Sequence, residues 1–180
     1  MKGLSRLYTW PLAFLATAVV LPAPVQAETG HKGSACQASQ LDAHFDDRDG
    51  VFDGMSQRGT LLVLRNNGPH TCQLGALPTL RFEGPGGRRL PVERRLPRGM
   101  HPGPVLLPVA VAPGVEVAML LHWVSGGVYP GHNCLTPVTA VLDLSEGALR
   151  VPFGLPMCAA VGSIEFFDQA PLGPVTGEVE

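Results

Sequence analysis

Four groups of side chains in this 180-residue chain could do chemistry. The first is the cysteines, Cys36, Cys72, Cys134 and Cys158. As thiolates they would serve as nucleophiles or metal ligands. They are widely spread and include no C-x-x-C pair, which argues against a metal site. The second group is the six histidines and five methionines, whose soft donors suit copper. The candidates are His101, His122 and His132 with Met100 and Met119. Met119 and His122 are three apart on a strand-like stretch, so they face opposite ways. Met100 and His101 fall in an irregular segment, and neither M-x-x-M nor H-x-M occurs. The third group is Asp42, Asp46, Asp47, Asp49 and Asp53. Asp46 to Gly54 has part of the spacing of a calcium loop, but lacks the ordered D-x-D-x-D-G and its closing Glu. It reads as a solvated loop between the first two strands. The fourth group is the serines, which would need G-x-S-x-G or an equivalent sharp turn to act as nucleophiles. That motif is absent, and Ser125 and Ser145 sit in loops. No catalytic, cofactor-binding or metal-ligating residue is therefore assigned, and no cofactor is expected.

The N-terminus sets the compartment in which the cysteines work. Lys2 and Arg6 precede an apolar stretch from Leu7 to Val20, followed by Leu21-Pro22-Ala23-Pro24-Val25-Gln26-Ala27. Charged residues, an apolar run and small residues at Val25 and Ala27 predict a signal peptide over 1–27, cut after Ala27. A span would need roughly 20 apolar residues, and Pro11, Pro22 and Pro24 crowd a shorter stretch. The mature chain is expected in the periplasm or secreted, and not as an integral membrane protein. An even cysteine count in an exported chain predicts two disulfides. Three pairings are open. Cys36–Cys72 and Cys134–Cys158 are favoured because they close the shorter loops and do not cross. Of the 13 Lys and Arg, Lys2 and Arg6 precede the cut, leaving 11 against 15 Asp and Glu, a net charge of −4. The one basic cluster is Arg81, Arg88, Arg89, Arg94, Arg95 and Arg98. This balance disfavours nucleic acid as a partner.

Beyond a polar lead-in over 28–35, the pattern has period two. Leu41, Ala43 and Phe45 alternate with polar residues, and Thr60 to Arg65 is a short apolar run fit for a buried strand. Asn66-Asn67-Gly68-Pro69 ends it. Leu80 and Phe82 precede Gly84-Pro85-Gly86-Gly87, a hairpin-like turn into Leu90 and Val92. Val105 to Val111 and Val115 to Val124 are expected to pair around Ala112-Pro113-Gly114. Val138 to Leu144, Val151 to Phe153 and Ile164 to Phe167 complete the series. Arg94 to Pro108 is read as a long loop, and 172–180 as a frayed or extended tail. With 22 Gly and 18 Pro in the chain, this predicts an all-β, immunoglobulin-like two-sheet β-sandwich of about eight strands over 36–171. Trp123 is expected to pack against an inter-sheet disulfide, with a ligand-stacking role as the other reading.

The cysteine frame also resembles a known family. Leu64-Arg65-Asn66-Asn67-Gly68 and Thr71-Cys72-Gln73-Leu74-Gly75-Ala76-Leu77-Pro78 resemble its L-x-N-x-G strand end followed by x-C-x-L-x-G-x-P. Gly75 comes one residue earlier than usual, with Leu77-Pro78 in place. Val111-Ala112-Pro113-Gly114 resembles its L-x-P-G and Leu121-His122-Trp123 its x-x-W strand, while Cys134 and Cys158 complete the frame. The family is the exported four-cysteine bacterial domain of unknown function forty-two thirty-two, and the resemblance spans Cys36 to Pro171. It implies export or lipid anchoring and a β-sandwich, with no catalytic residues to carry over.

Together these readings lead to an exported, non-enzymatic module. It is expected to be structural or to bind a protein or envelope ligand, through the Asp42–Asp53 and Arg94–Pro108 loops. A periplasmic protein handling copper or calcium is the alternative.

Overall fold

The computed structural model describes residues 33–95, 103 and 105–175. The signal peptide over 1–27, most of the lead-in, most of the Arg94–Pro108 segment and the last five residues lie outside them. Thirteen strands occur among the described residues. They are β1 Leu41–Asp46, β2 Gln57–Asn66, β3 Cys72–Leu74, β4 Thr79–Glu83, β5 Glu93–Arg95, β6 Val109–Val111 and β7 Glu116–Val124. The others are β8 His132–Leu135, β9 Thr139–Asp143, β10 Ala148–Pro152, β11 Met157–Ala160, β12 Phe166–Gln169 and β13 Gly173–Pro174.

The large sheet runs β1-β2-β7-β12-β5, with β13 also on β7. The second sheet runs β10-β9-β4, and β11-β8 and β3-β6 are separate two-stranded ladders. The central strand β2 is the continuous apolar run seen in the sequence. Leu62, Val63 and Leu64 are all buried, so both of its faces are covered. Antiparallel β7 pairs with Gln57–Arg65 on one side and antiparallel β1 with Leu61–Asn66 on the other.

The two main sheets meet through aromatic rings. Phe153, just after β10, packs against Phe45 of β1, Phe82 of β4 and Trp123 of β7, at centroid distances of 5.2, 4.9 and 5.3 Å. Phe82 also meets Phe167 of β12 edge-on at 5.2 Å. Edge-to-face contact places the positive rim of one ring on the negative face of the next. Around these rings Leu62, Leu64, Met119, Leu121, Ala140, Leu142 and Met157 form the shared core. The fold is thus an all-β sandwich stapled by two disulfides.

Several local expectations are corrected. The strand number rises from about eight to thirteen chiefly because the pattern did not mark β3, β8, β11 and β13, each of four residues or fewer. The Val105–Val111 and Val115–Val124 segments do not pair with each other; β6 pairs with β3 and β7 with β2. The cause is Asn66, fully buried at the end of β2. Its Nδ2 donates to the Val111 carbonyl at 2.8 Å and the His70 carbonyl at 2.9 Å. Its own carbonyl accepts from Gly114 N–H at 2.7 Å, where φ is +73°. The turn is therefore anchored to β2, and β6 is directed onto β3. The Gly84–Gly87 turn does form, with Leu90 N–H donating to the Phe82 carbonyl at 2.9 Å. The returning chain then leaves β4, and β5 joins the other sheet parallel to β12. Arg94 and Arg95 accordingly belong to a strand and not to a loop. Strand pairing and burial also occur on either side of 36–171. Ala35 bridges Gln73, Leu172 is buried, and β13 pairs with Ala118 and Val117. Among the described residues no helix is long and apolar enough to cross a membrane.

Candidate functional site

The strand register brings together side chains that are far apart in the chain. β12 lies between β7 and β5, with Phe167 opposite Trp123 and, on the other side, Arg94. Residues alternate across a strand, so Phe166, Asp168 and Arg95 share the outer face of the large sheet with His122. Together with Gln57 and Tyr129 they line a cleft of about 240 Å³. The Arg95 guanidinium lies over the Phe166 ring, 3.1 Å from its centroid, and its Nε is 3.5 Å from Asp168 Oδ1. A planar guanidinium can stack and donate in its plane at once. His122 Nε2 lies 3.2 Å from the Phe52 carbonyl. A carbonyl only accepts, so this nitrogen carries a proton. The cleft therefore presents a neutralised Arg–Asp pair, an imidazole, a phenol, an amide and an aromatic floor. Such groups can donate, accept and stack.

Three loops close this end of the sandwich. β2 begins here, with Gln57 opposite Val124 at the end of β7. The β1–β2 and β7–β8 loops are joined by Ser125 N–H donating to the Ser56 carbonyl at 2.9 Å. The β11–β12 loop joins through Asn133 Nδ2, 3.5 Å from the Ser163 carbonyl. On these loops Val51, Met55, Val128, Val161 and Ile164 are exposed, Met55 to 97 %. Phe52 folds back onto the sheet beside Gly59, where a Cβ would come within 2.5 Å of Phe52 Cβ.

The residues singled out in the sequence are placed as follows. Asp42 and Asp46 belong to β1, so the acidic loop is shorter than Asp42–Asp53. Its carboxylates serve the loop itself. Asp46 accepts from Arg48 N–H at 2.9 Å and pairs with the Arg48 guanidinium, and Asp47 accepts from Asp49 N–H at 3.2 Å. Asp53 accepts from Gly59 N–H at 3.3 Å and faces Arg58. Met119 is buried in the core while His122 is on the outer face, and His132 is exposed on β8. Met100 and His101 lie outside the described residues. Among the described residues no three His, Cys, Asp or Glu are grouped to hold a metal.

Both favoured disulfides are present, Cys36–Cys72 and Cys134–Cys158. Neither bridges the two main sheets. Cys134 and Cys158 are directly opposed across the β8–β11 ladder, and Cys36 adjoins β3 through Ala35 and Gln73. Trp123 accordingly packs on Phe153, and its indole N–H donates to the Pro156 carbonyl at 2.9 Å. The arginine cluster is dispersed. Arg81 pairs with Glu83 and Asp143 on the second sheet, Arg95 lies in the cleft, and Arg94 Nη1 is 3.4 Å from the Leu77 and Pro78 carbonyls. On that second sheet Glu83, almost fully buried, accepts from Arg81 and Arg150 on either side. The Arg81 hydrogen bond, with Arg150 adding to it, holds the Glu83 carboxyl below the usual range against the opposing effect of burial.

The cleft was not foreseen. Phe166 and Asp168 show period-two spacing, but nothing near Arg95 announces a parallel pairing some 70 residues away in sequence.

Fold and disulfides define a class, the disulfide-stapled β-sandwich of an oxidising compartment. Residues 36–164 match the family described as Domain of unknown function (DUF4232), and the chain belongs to it. No curated protein and no solved structure matches the chain.

Proposed function

We propose that this protein is an exported, non-enzymatic module that binds a protein or ligand at or beyond the cell envelope. The observation that carries the reading is the loop end of the sandwich. Three adjoining loops, the β1–β2 and β7–β8 loops bonded to each other and the β11–β12 loop to β8, display Val51, Met55, Val128, Val161 and Ile164 beside the Arg95–Phe166–Asp168 cleft. Single exposed apolar residues are ordinary, whereas several on one end mark a contact surface, and loops on a rigid sandwich are the usual place for one. This moves the expected contact surface. Of the two loops expected to bind, the acidic β1–β2 loop contributes Val51 and Met55. Nucleic acid fits poorly, since Arg81 and Arg150 are occupied by Glu83 and Arg95 by Asp168. The N-terminal segment supports export through a signal peptide cut after Ala27.

Two measurements test this. The N-terminus of the protein recovered outside the cytoplasm should be Glu28; recovery only of the uncut chain from the cytoplasm would refute export. Crosslinking in the native host should trap a partner that is lost when Met55 and Val128 are both changed to Asp in a chain that still folds. An unchanged crosslinking pattern would refute the loop end as the contact surface.

A further inference from the structure

The two disulfides differ in their surroundings. Cys36 and Cys72 are both 1 % exposed. Their bridge is further enclosed by backbone bonds, Cys36 N–H to the Gln73 carbonyl at 3.0 Å and Gln73 N–H to the Ser34 carbonyl at 2.9 Å. Cys134 is exposed, whereas its partner Cys158 is 3 % exposed. Both bridges involve two-stranded ladders outside the main sheets, Cys72 on β3–β6 and Cys134–Cys158 on β8–β11, so what separates them is the exposure of Cys134. Thiol–disulfide exchange requires a thiolate to reach a sulfur, so access decides which bridge reacts.

We propose that Cys134 is a site of thiol–disulfide exchange, with a low-molecular-weight monothiol as co-reactant. The thiolate attacks the Cys134 sulfur and forms a mixed disulfide there. The Cys134–Cys158 bond breaks, and Cys158 leaves as a thiolate that takes a proton from solvent. A second thiolate attacks the co-reactant's sulfur, releasing Cys134 as a thiolate and the co-reactant as its own disulfide. Two monothiols are oxidised and one protein disulfide is reduced, with two electrons transferred. Reduction unties β8 from β11 at the one covalent link between them, while Cys36–Cys72 and the main sheets remain. The modified sulfur lies two residues from His132 and one from Asn133, whose amide contacts buried Glu165 at 2.5 Å next to β12. The exchange therefore acts on the edge of the loop end.

The test is exposure of the folded, oxidised full chain to reduced glutathione, followed by alkylation of free thiols and peptide mapping by mass spectrometry. The expected result is glutathione on Cys134, alkylated Cys158 and an intact Cys36–Cys72 peptide. Glutathione on Cys36, Cys72 or Cys158, simultaneous loss of both bridges, or both bridges intact with no adduct would overturn the proposal; alkylated Cys134 and Cys158 beside an intact Cys36–Cys72 peptide is the completed exchange and supports it. The doubly substituted chain, Cys134→Ser with Cys158→Ser, should take up no glutathione and keep Cys36–Cys72; uptake at Cys36 or Cys72 in that folded variant would count equally against it. Should that variant fail to fold, mapping of the natural chain decides alone.

Discussion

Phe52 reaches the sheet only because Gly59 has no side chain. A Cβ there would also lie 3.0 Å from His122 Cδ2 and 3.1 Å from the Phe52 carbonyl. Gly59→Ala should destabilise the protein by about 1–3 kcal/mol through overpacking. In a denaturant series, Phe52→Gly, which removes the Cβ that the new methyl would meet, should recover part of that loss when combined with it; strictly additive effects would show that the two do not meet. In the core, Phe82 is 1 % exposed and touches rings from both sides of the sandwich. Phe82→Ala should cost about 3–5 kcal/mol, read as a lowered denaturation midpoint. Residue types alone made Phe82 an inward-facing position by its alternation with Arg81. They did not single out Phe153, which follows Pro152 and sits in no strand, yet contacts three other rings. Contacts of that kind depend on how the sheets stack and leave no local trace.

At the scale of elements, the second sheet carries an ion-paired outer face. Arg81 and Arg150 stand on either side of Val141, opposite it in register on β4 and β10. Both reach Glu83, and Arg81 Nε also lies 3.1 Å from Asp143. Because Glu83 titrates lower when folded than when unfolded, its contribution to stability is complete above the ordinary carboxylate range. It is lost as pH falls through the lowered folded-state value. Thermal melts from neutral to acid pH should therefore show a steeper loss for the natural chain than for Glu83→Gln. Parallel curves would mean that Glu83 does not shape the acid limb. Asn66 decides a second feature of the elements, the routing of β6 onto β3. Removing its side chain in Asn66→Ala leaves the Val111 and His70 carbonyls without their donor. A loss of about 1–3 kcal/mol is expected, with amide exchange rising first in β3 and β6. Uniform exchange across the sheets would argue against this local role. The Asn-Asn-Gly-Pro run marked the end of β2 correctly from its turn chemistry. Its reach to Val111, 45 residues on, was invisible because a buried amide finds its partners only after the chain has closed around it.

For the whole molecule, the disulfides supplement a core shared between sheets. Cys36–Cys72 closes 36 residues and Cys134–Cys158 closes 24. Removing the first by Cys36→Ser with Cys72→Ser should lower stability by about 3–4 kcal/mol, chiefly by freeing the unfolded chain. A change in denaturation midpoint too small for that loss would show that the backbone bonds around Cys36 already hold the N-terminal segment. The sequence by itself determined the all-β class, the burial of β2 and the turn positions, and it favoured the cysteine pairing that the structure shows. Each follows from alternation, Gly and Pro placement or loop length, which are properties of neighbouring or countable residues. Tertiary structure alone decided that β5 runs parallel to β12, that β6 leaves β7 for β3, and that neither disulfide spans the two main sheets. It also assembled Arg95, Phe166, Asp168 and His122 into one cleft. Strand pairing across long separations is chosen by the joint packing of two sheets, and no short stretch of sequence carries that information.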